Sequence, residues 1–256
     1  TTTTSTTTST TLPTTTTTGT GSTTTSTTDT GSTTTTTDTG STTTTTGGTS
    51  TTTSTGLTTT TTLPASGYQL VVCGANENGE LGLGSSGLVD LFTSVSGMSN
   101  VISVSSNGLP YDGPAQSTLV VRADGTVWGA GLNAHGELGG VSGSTFAQVS
   151  GVSGVKSAHM GPGYAILLKT DGTILASGSN SNGQLGLGDF TSRVAFTAVP
   201  NVSGVVSVAC GTSASCIALK DGTVWYAGYT RQVGAGGSSY NPAYTRLTAL
   251  GNIVSV

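Results

Sequence analysis

The pattern of hydrophobic and polar positions divides the chain into two unlike parts. The first sixty-two residues are Thr, Ser and Gly except at Leu12, Pro13, Asp29, Asp38 and Leu57. This tract has no periodic apolar face, so it buries too little apolar surface to offset the entropy of ordering a packed core. From Tyr68 onward, apolar, β-branched and Gly residues take over, with turn signals at regular spacing. We therefore predict an extended, non-globular segment over residues 1–66 and a folded domain over residues 67–256.

Short apolar segments recur in the folded domain with a period near fifty residues. Each segment is predicted as a strand. The first strands of the periods are Val101–Val104, Val155–Ala158, Val205–Val208 and Ile253–Val256. The second strands are Ser117–Val121, Tyr164–Leu168 and Cys216–Leu219, and the third strands are Thr126–Trp128, Thr173–Leu175 and Thr223–Tyr226. Between the second and third strands lie Asp124-Gly125, Asp171-Gly172 and Asp221-Gly222. Asp-Gly pairs of this kind predict tight hairpin turns that need a positive φ. Four short strands per period without helical periodicity are typical of β-propeller blades.

One Gly-rich motif recurs between these strands. Its copies are Gly74–Gly84, Gly131–Gly140, Gly178–Gly188 and a degraded Gly228–Gly236. The pattern Gly-x-Asn-x-x-Gly-x-Leu-Gly-x-Gly, with the Val strand and Asp-Gly-x-Val-Trp that follow it, resembles the RCC1-like repeat family. The resemblance implies an all-β fold, a seven-bladed propeller that is incomplete in this chain. The family's usual His after the first strand is replaced by Tyr164 in the second copy and by Ser213 or Ala214 in the third, and residues 107–116 insert a loop into the first.

The number of repeats leaves two interpretations of the propeller open. Seven blades at this period need about 350 residues, whereas residues 67–256 hold about three and a half repeats. Either the chain is a fragment of a longer protein, or neighbouring copies complete the ring. The start on Thr1, without Met or a basic n-region, also fits a processed product or a fragment.

Blocks of five consecutive threonines stand out in the polar tract. Thr is β-branched and prefers extended backbone, so we expect an extended rod of roughly 190 Å at about 3.1 Å per residue. Thr-rich tracts of this composition are typical of O-glycosylated stalks. The predicted O-glycosylation sites are Thr14, Thr15, Thr16, Thr17, Thr18, Thr33, Thr34, Thr35, Thr36, Thr37, Thr42, Thr43, Thr44, Thr45, Thr46, Thr58, Thr59, Thr60, Thr61 and Thr62.

The tract also contains Asp-Thr-Gly-Ser twice, at Asp29 and Asp38. This tetrapeptide resembles the active-site motif of pepsin-like aspartic proteases, which bring two such loops together from two lobes so that the carboxylates share a proton. Here the flanks are Thr, and the two Asp are nine residues apart on one segment. Repeat slippage in a low-complexity tract explains the pair better than catalysis.

Charge and composition exclude several classes of function. The chain has a net charge of −4, and 7% of its residues are charged. This argues against nucleic-acid binding and against a polybasic membrane surface site. No apolar run of about eighteen residues is present, so we expect no membrane insertion. The low charge and the excess of Thr, Ser and Gly favour an extracellular or cell-surface location.

The sequence offers few groups for chemistry. His135 and His159 lack neighbours with metal-ligand spacing and are interpreted as a turn residue and a sheet residue. Cys210 and Cys216 flank a five-residue loop, which suggests a candidate disulfide; the alternative is two small buried hydrophobic residues. The sequon at Asn201 predicts N-glycosylation. We expect no catalytic residue, metal or cofactor.

Two hypotheses for the function follow, and neither is enzymatic. The first is an extracellular structural protein, an O-glycosylated filament or surface-coat subunit with the propeller as side domain. It would assemble with copies of itself or with a companion filament protein, and would carry covalent glycans. The alternative is a secreted or surface-anchored binding module on a mucin-like spacer, recognising a protein or a glycan through the loops Asn107–Gln116 and Gly236–Tyr244. The resemblance itself implies diverse roles, including nucleotide exchange on a small GTPase. We find no convergence of nucleophile, base and orienting group that would favour an enzyme.

Overall fold

The computed structural model of this chain divides into two compact units, Thr1–Gln69 and Leu70–Val256. It describes residues 68–107, 116–235 and 238–248 in full, and the backbone of six strands before them. Four predicted features lie wholly or mostly outside the described residues: Asp29, the inserted loop at 108–115, the strand Ile253–Val256 and the boundary between residues 66 and 67.

The first unit is a single sheet built from the Thr-rich tract. Its six strands pair in chain order, and β2 with β3 is the one parallel pair among these six strands. Every block of five threonines falls inside a strand, so the prediction of locally extended backbone is confirmed. The strands pair with one another instead of forming one continuous rod, because paired strands satisfy the backbone N–H and C=O groups. The strands are β1 Thr6–Thr10, β2 Leu12–Thr18, β3 Thr33–Asp38, β4 Ser41–Thr46, β5 Thr49–Ser54 and β6 Leu57–Thr62.

The second unit contains one two-stranded sheet followed by three four-stranded antiparallel sheets. Each four-stranded sheet pairs its strands in chain order, which is the meander of a propeller blade. The strands are β7 Val71–Gly74 and β8 Val89–Ser94; β9 Val101–Ser106, β10 Ser117–Arg122, β11 Val127–Gly131 and β12 Gly143–Gln148; β13 Val155–Gly161, β14 Tyr164–Lys169, β15 Ile174–Gly178 and β16 Arg193–Ala198; β17 Val205–Cys210, β18 Ala214–Leu219, β19 Val224–Tyr229 and β20 Tyr240–Arg246.

The first strands of successive blades, β9, β13 and β17, lie beside one another, so they form the inner side of the array. The fourth strands, β8, β12, β16 and β20, are the outer strands, and their residues are mostly exposed or half-buried. Sequence reasoning did not locate these outer strands, because they carry no continuous apolar run. One of them, β20, takes up Tyr240–Tyr244, which the sequence assigned to a loop.

The hydrophobic core lies between neighbouring blades. Leu119 and Val121 of β10 share a buried cluster with Val155 of β13 and Leu167 of β14. A second cluster joins β14 and β15 to β17, β18 and β20 in the same way. Each blade therefore completes the core of the next, so the strands of one blade are not stable without a neighbour.

The predicted Asp-Gly hairpin turns are confirmed, with loops of three residues. In the turn at Asp171, the N–H of Gly172 bonds the Lys169 carbonyl at 3.1 Å, and the N–H of Lys169 bonds the Thr173 carbonyl at 2.9 Å. Gly172 adopts φ +79°, the left-handed conformation that such a turn needs. The Asp171 carboxylate accepts hydrogen bonds from the Thr173 N–H and hydroxyl at 2.9 and 2.6 Å. The turns at Asp124 and Asp221 repeat this pattern.

We expect the Asp171 turn to stabilise the fold less as the solution becomes acidic. The Thr173 hydroxyl and N–H, with Lys169, lower the pKa of Asp171 from its usual 3.8 to about 2. A lowered pKa contributes stability that is present above the unfolded value and lost as the pH falls through the folded one. Asp171→Asn should therefore flatten the decline of the thermal midpoint between pH 4 and pH 2. Asp90→Asn, on the exposed strand β8, is the control; equal flattening in both variants would contradict this assignment.

Candidate functional site

The repeated Gly-rich motif forms the connection between the third and fourth strands of each blade. Its Asn side chain holds the turn: the Oδ1 atom of Asn180 accepts the Leu185 N–H at 3.0 Å. Asn76 and Asn133 make the same bond to Leu81 and Leu138, at 2.9 and 2.8 Å. The Asn of the motif is therefore a turn residue. In the degraded fourth copy a 3-10 helix, Thr230–Val233, replaces this turn.

The third glycine of the motif is where one blade meets the next. A Cβ atom on Gly186, which has φ +69°, would stand 2.3 Å from the Tyr244 ring of β20. Gly82 and Gly139 lie in the same way beneath Phe146 of β12 and Phe196 of β16. The outer strand of each four-stranded blade thus supplies an aromatic ring that covers the motif of the preceding blade. One aromatic residue per repeat is visible in the sequence at this position, but it lies outside the Gly-rich motif and was not recognised from the sequence.

In two blades a buried carboxylate occupies the position next to this contact, Glu80 in the first and Glu137 in the second. Glu137 is fully buried; its Oε2 atom accepts the His135 N–H at 2.8 Å, and its Oε1 atom has no hydrogen-bond partner within the described part of the chain. The following blade has Gln184 at the same position, where its Oε1 atom accepts the Asn182 N–H at 3.0 Å. The position therefore accommodates a neutral amide.

We expect Glu137→Gln to raise the free energy of unfolding by about 1–2 kcal/mol, because a neutral amide costs less to bury than a carboxylate of which one oxygen has no partner among the described residues. Gln184→Glu is the matched reverse variant and should lower it by a similar amount. Urea denaturation at pH 7 measures both values. A destabilised Glu137→Gln would show that the carboxylate has a role that its observed contacts do not provide.

A second feature is a cavity of about 220 Å³ where the first strands of three blades turn into the second strands. We call it the axial cavity; it is lined by Ser106, Asn107, Met160, Gly161, Pro162, Cys210, Gly211 and Thr212. Asn107 is 5% exposed, and its Oδ1 atom accepts the Ser117 N–H and hydroxyl, both at 2.8 Å. Its Nδ2 atom is buried and has no hydrogen-bond partner in the described part of the chain. Asn107 thus lines the cavity and has a buried hydrogen-bond donor without a partner among the described residues.

The two histidines lie where the sequence suggested. His135 is exposed in its turn, with its ring over Gly163 of the next blade. His159 lies half-buried on β13, and its Nε2 atom is 2.9 Å from the Ser157 hydroxyl. Burial lowers the pKa of His159. No cluster of three or more His, Cys, Asp or Glu side chains suited to a metal is found among the residues that the structure describes.

The structure contradicts the candidate disulfide between Cys210 and Cys216. Cys210 opposes Ser215 across β17 and β18, and Cys216 opposes Ala209. The two cysteines are thus one residue out of register, so their side chains lie on opposite faces of the sheet and pack into different clusters. Both are free thiols. Burial raises the pKa of Cys210 to about 12 and also raises that of Cys216, which makes each a poor nucleophile.

The two tryptophans and the sequon at Asn201 also lie among the described residues. Trp128 and Trp225 pack against core clusters, and each indole N–H donates to a Thr hydroxyl two residues earlier, at 3.1 and 2.9 Å. Asn201 is exposed in a turn with φ +58°. It occupies the place of Gly97 and Gly151, which have φ +74° and +73°. The sequon therefore stands at an accessible turn, which suits an acceptor site.

Comparison with known proteins decides the type of repeat. The family model of the Regulator of chromosome condensation (RCC1) repeat matches residues 171–218, which run from the Asp171 turn through the Gly-rich motif into β18. These repeats are RCC1-like. No curated protein matches the chain in sequence. The match covers one repeat length, and the three four-stranded sheets share the same strand order.

Solved structures share the RCC1-like fold. Human WBSCR16 is 20% identical with a TM-score of 0.59, and the alignment covers 84% of this chain and 52% of that one. Prp20p from Saccharomyces cerevisiae, a protein described for its binding to Gsp1p and histones, is 14% identical with a TM-score of 0.56, covering 84% and 51%. Yeast RCC1 (Prp20) in complex with Kap60 is 15% identical with a TM-score of 0.55, and the alignment covers 84% of this chain and 49% of that one. The chain spans about half the length of these RCC1-like proteins.

The described residues contain no helix with the length and apolar character needed to cross a bilayer.

Proposed function

We propose that this chain is an extracellular structural glycoprotein, a subunit of a filament or surface coat. In this proposal the Thr-rich unit carries O-linked glycans, and the RCC1-like propeller is its side domain. The chain associates with copies of itself or with a companion filament protein. No step in this role requires a catalytic residue, a metal or a cofactor.

The observation that carries the proposal is that all four blocks of five threonines belong to the first compact unit and lie on its strands. The core clusters of the propeller are formed within the second unit. We propose that this separate tract is modified along its length. The low charge of the chain and the exposed sequon at Asn201 also support a secreted glycoprotein.

Site-resolved mass spectrometry of the native protein tests this proposal. We expect O-linked sugar on residues 14–18, 33–37, 42–46 and 58–62, and N-linked sugar on Asn201. Ser203→Ala, which removes the sequon and keeps the Asn of the turn, should lose the N-glycan and retain the O-glycans. Electron microscopy of the same material should show polymers. Bare threonine blocks, or a protein that is monomeric at all concentrations, would contradict the structural role.

A second candidate function is a binding module, and the axial cavity favours it. The buried Nδ2 atom of Asn107 is a donor without a partner among the described residues, so a ligand with a hydrogen-bond acceptor, such as a sugar hydroxyl or a peptide carbonyl, would satisfy it. The predicted binding loop begins at this residue.

The two methionines make this candidate testable by methyl NMR. Met160 lines the axial cavity, whereas Met98 is buried in another cluster. Titration with galactose, N-acetylgalactosamine and N-acetyl-threonine amide should shift the Met160 methyl signal and leave that of Met98 unchanged. Asn107→Ala should abolish the shift. If none of the three compounds moves the Met160 signal, these ligand classes do not bind there.

A further inference from the structure

The fourth blade carries a stacked pair of tyrosines where its third strand ends and its outer strand begins. Tyr229 is the last residue of β19, Tyr240 is the first of β20, and the two oppose each other across the strands. Their ring centroids are 5.0 Å apart, and the ring planes are inclined by 27°. Tyr240 is 52% exposed, so the pair presents aromatic surface to solvent.

The fold of a blade does not require these two rings. In the register of the two sheets, Tyr229 corresponds to Ser179 of the third blade and Tyr240 to Ser192. Leu132 takes the position of Tyr229 in the second blade. The third blade forms the same four-stranded meander with two hydroxyl side chains at this place. A cross-strand aromatic pair stabilises a strand end, but that role leaves the exposed half of Tyr240 without a use.

The start of β20 lies against the Gly-rich motif of the third blade. A Cβ atom on Gly183 would stand 2.6 Å from the Pro242 Cα atom and 2.8 Å from the Asn241 carbonyl oxygen. Asn182 directly precedes Gly183, and Tyr240 directly precedes Asn241. The motif turn and the stacked pair therefore border one junction, between two blades that both have four strands.

The motif turn brings neutral polar groups to this junction. Ser181 is exposed and Asn182 is half-buried. The Asn182 N–H donates to the Gln184 Oε1 atom at 3.0 Å, which fixes the backbone of the turn. A Ser hydroxyl and an Asn amide can each donate and accept hydrogen bonds. Exposed aromatic surface beside neutral donors and acceptors suits a ligand that has both an apolar face and hydroxyl groups.

We propose that the pair Tyr229–Tyr240, with the turn Ser181–Asn182, binds the pyranose ring of a saccharide. The face of a Tyr ring is a flat apolar surface, and a pyranose has a face of C–H groups that packs on such a surface, with its hydroxyls at the rim. Tyr240 supplies the stacking surface, and Tyr229 behind it holds that ring in place. The sugar hydroxyls bond the polar groups of the turn.

This site adds to the binding-module candidate and is separate from the axial cavity, whose lining includes none of these four residues. Free saccharides and threonine-linked glycans present the same ring, and the second source rests on the O-glycosylation proposed above.

Galactose and N-acetylgalactosaminyl-threonine are the probes for the two sources. Each is titrated against the full chain, and its contact with the protein is measured by saturation-transfer difference NMR. We expect saturable binding, with the largest signals on the C–H protons of the pyranose ring. Galactitol is the control ligand, because this open-chain polyol has the hydroxyls of galactose without the ring, and it should give no saturable signal. A tighter response to one probe identifies the source that the site prefers.

Variants of the pair test whether the aromatic surface binds the sugar. Tyr240→Ala should weaken binding about tenfold or more, whereas Tyr240→Phe keeps the ring and should stay within about twofold of the natural chain. Tyr229→Ser combined with Tyr240→Ser reproduces the third blade, so it should fold and lose binding. Tyr68→Ala removes another exposed tyrosine, 76% exposed, and should leave binding unchanged. Urea unfolding curves verify that each variant is folded.

Four outcomes would overturn the proposal: no binding of either probe, equal binding of galactitol, unchanged affinity in Tyr240→Ala, or binding that Asn107→Ala abolishes. The last would place the sugar in the axial cavity. Threonine blocks without sugar would contradict the proposed structural role but would leave galactose binding at Tyr240 intact, so the two failures are distinguishable.

Discussion

Gly186→Ala should destabilise the RCC1-like unit by about 2–5 kcal/mol. About 1–2 kcal/mol of this comes from placing a residue with a side chain at φ +69°. The rest comes from the clash of the new methyl group with the Tyr244 ring, 2.3 Å from the Cβ position. An overpacked contact of this kind typically costs about 1–3 kcal/mol. Urea denaturation followed by the fluorescence of Trp128 and Trp225 measures the change.

Gly188→Ala is the matched control, because Gly188 has φ +87° but no atom within 4 Å of its Cβ position. The free energy of unfolding of Gly188→Ala should fall by only about 1–2 kcal/mol, the cost of a residue with a side chain at positive φ. Replacing Tyr244 with Leu in the Gly186→Ala background should recover part of the loss, which a double-mutant cycle detects. If Gly186→Ala and Gly188→Ala are equally destabilised, the blade-to-blade contact at the motif glycine does not contribute to stability.

Tyr164→Ala should destabilise the protein by about 3–5 kcal/mol, the usual cost of removing a large buried aromatic side chain. Tyr164 is 0% exposed and lies in the cluster between the third and fourth blades. Its hydroxyl donates to the carbonyls of Gly211 and Ala214 in the next blade, at 2.9 and 2.8 Å. Burial raises the pKa of Tyr164 well above its usual value, so the hydroxyl remains a donor at alkaline pH.

Tyr164→Phe separates the ring from the hydroxyl. It keeps the packing and removes the donor, so the expected loss is about 1–2 kcal/mol. Tyr240→Ala, which removes a tyrosine that is 52% exposed, serves as the surface control. Thermal unfolding at pH 7 of Tyr164→Ala, Tyr164→Phe and Tyr240→Ala gives the order of their stabilities. A loss in Tyr164→Phe as large as that in Tyr164→Ala would assign the whole effect to the hydrogen bonds between blades.

The Tyr164 contacts also explain a departure from the family pattern. The RCC1-like resemblance predicts His near this position, and the chain has Tyr. The Tyr hydroxyl reaches across to the fourth blade, so it supplies an inter-blade hydrogen bond at that position. The fold therefore tolerates Tyr at this position, whose counterparts in the neighbouring blades are Ser117 and Ala214.

Whether a feature could be predicted from the sequence depends on how far apart in the chain the contacting residues lie. The hairpin at Asp171 was predictable, because its hydrogen bonds, from Thr173 to Asp171 and from Gly172 to Lys169, join residues two or three apart in the chain. The disulfide was not, because whether Cys210 and Cys216 share a face depends on a register of one residue between two strands. That the Asn107 Nδ2 atom has no partner among the described residues was also out of reach, because the burial of this atom is set by tertiary packing.

The sequence by itself determined the first three strands of each repeat, the turns and their repetition, and hence the RCC1-like propeller. Alternating apolar residues and glycines with positive φ act over a few neighbouring residues, so their pattern is visible in the chain itself. The tertiary structure decided which strand edges are covered. Cys73 and Ala130 occupy equivalent positions, yet one is exposed and the other is 0% exposed. The physical reason is that burial depends on the neighbouring strand, which the local sequence of β7 does not specify.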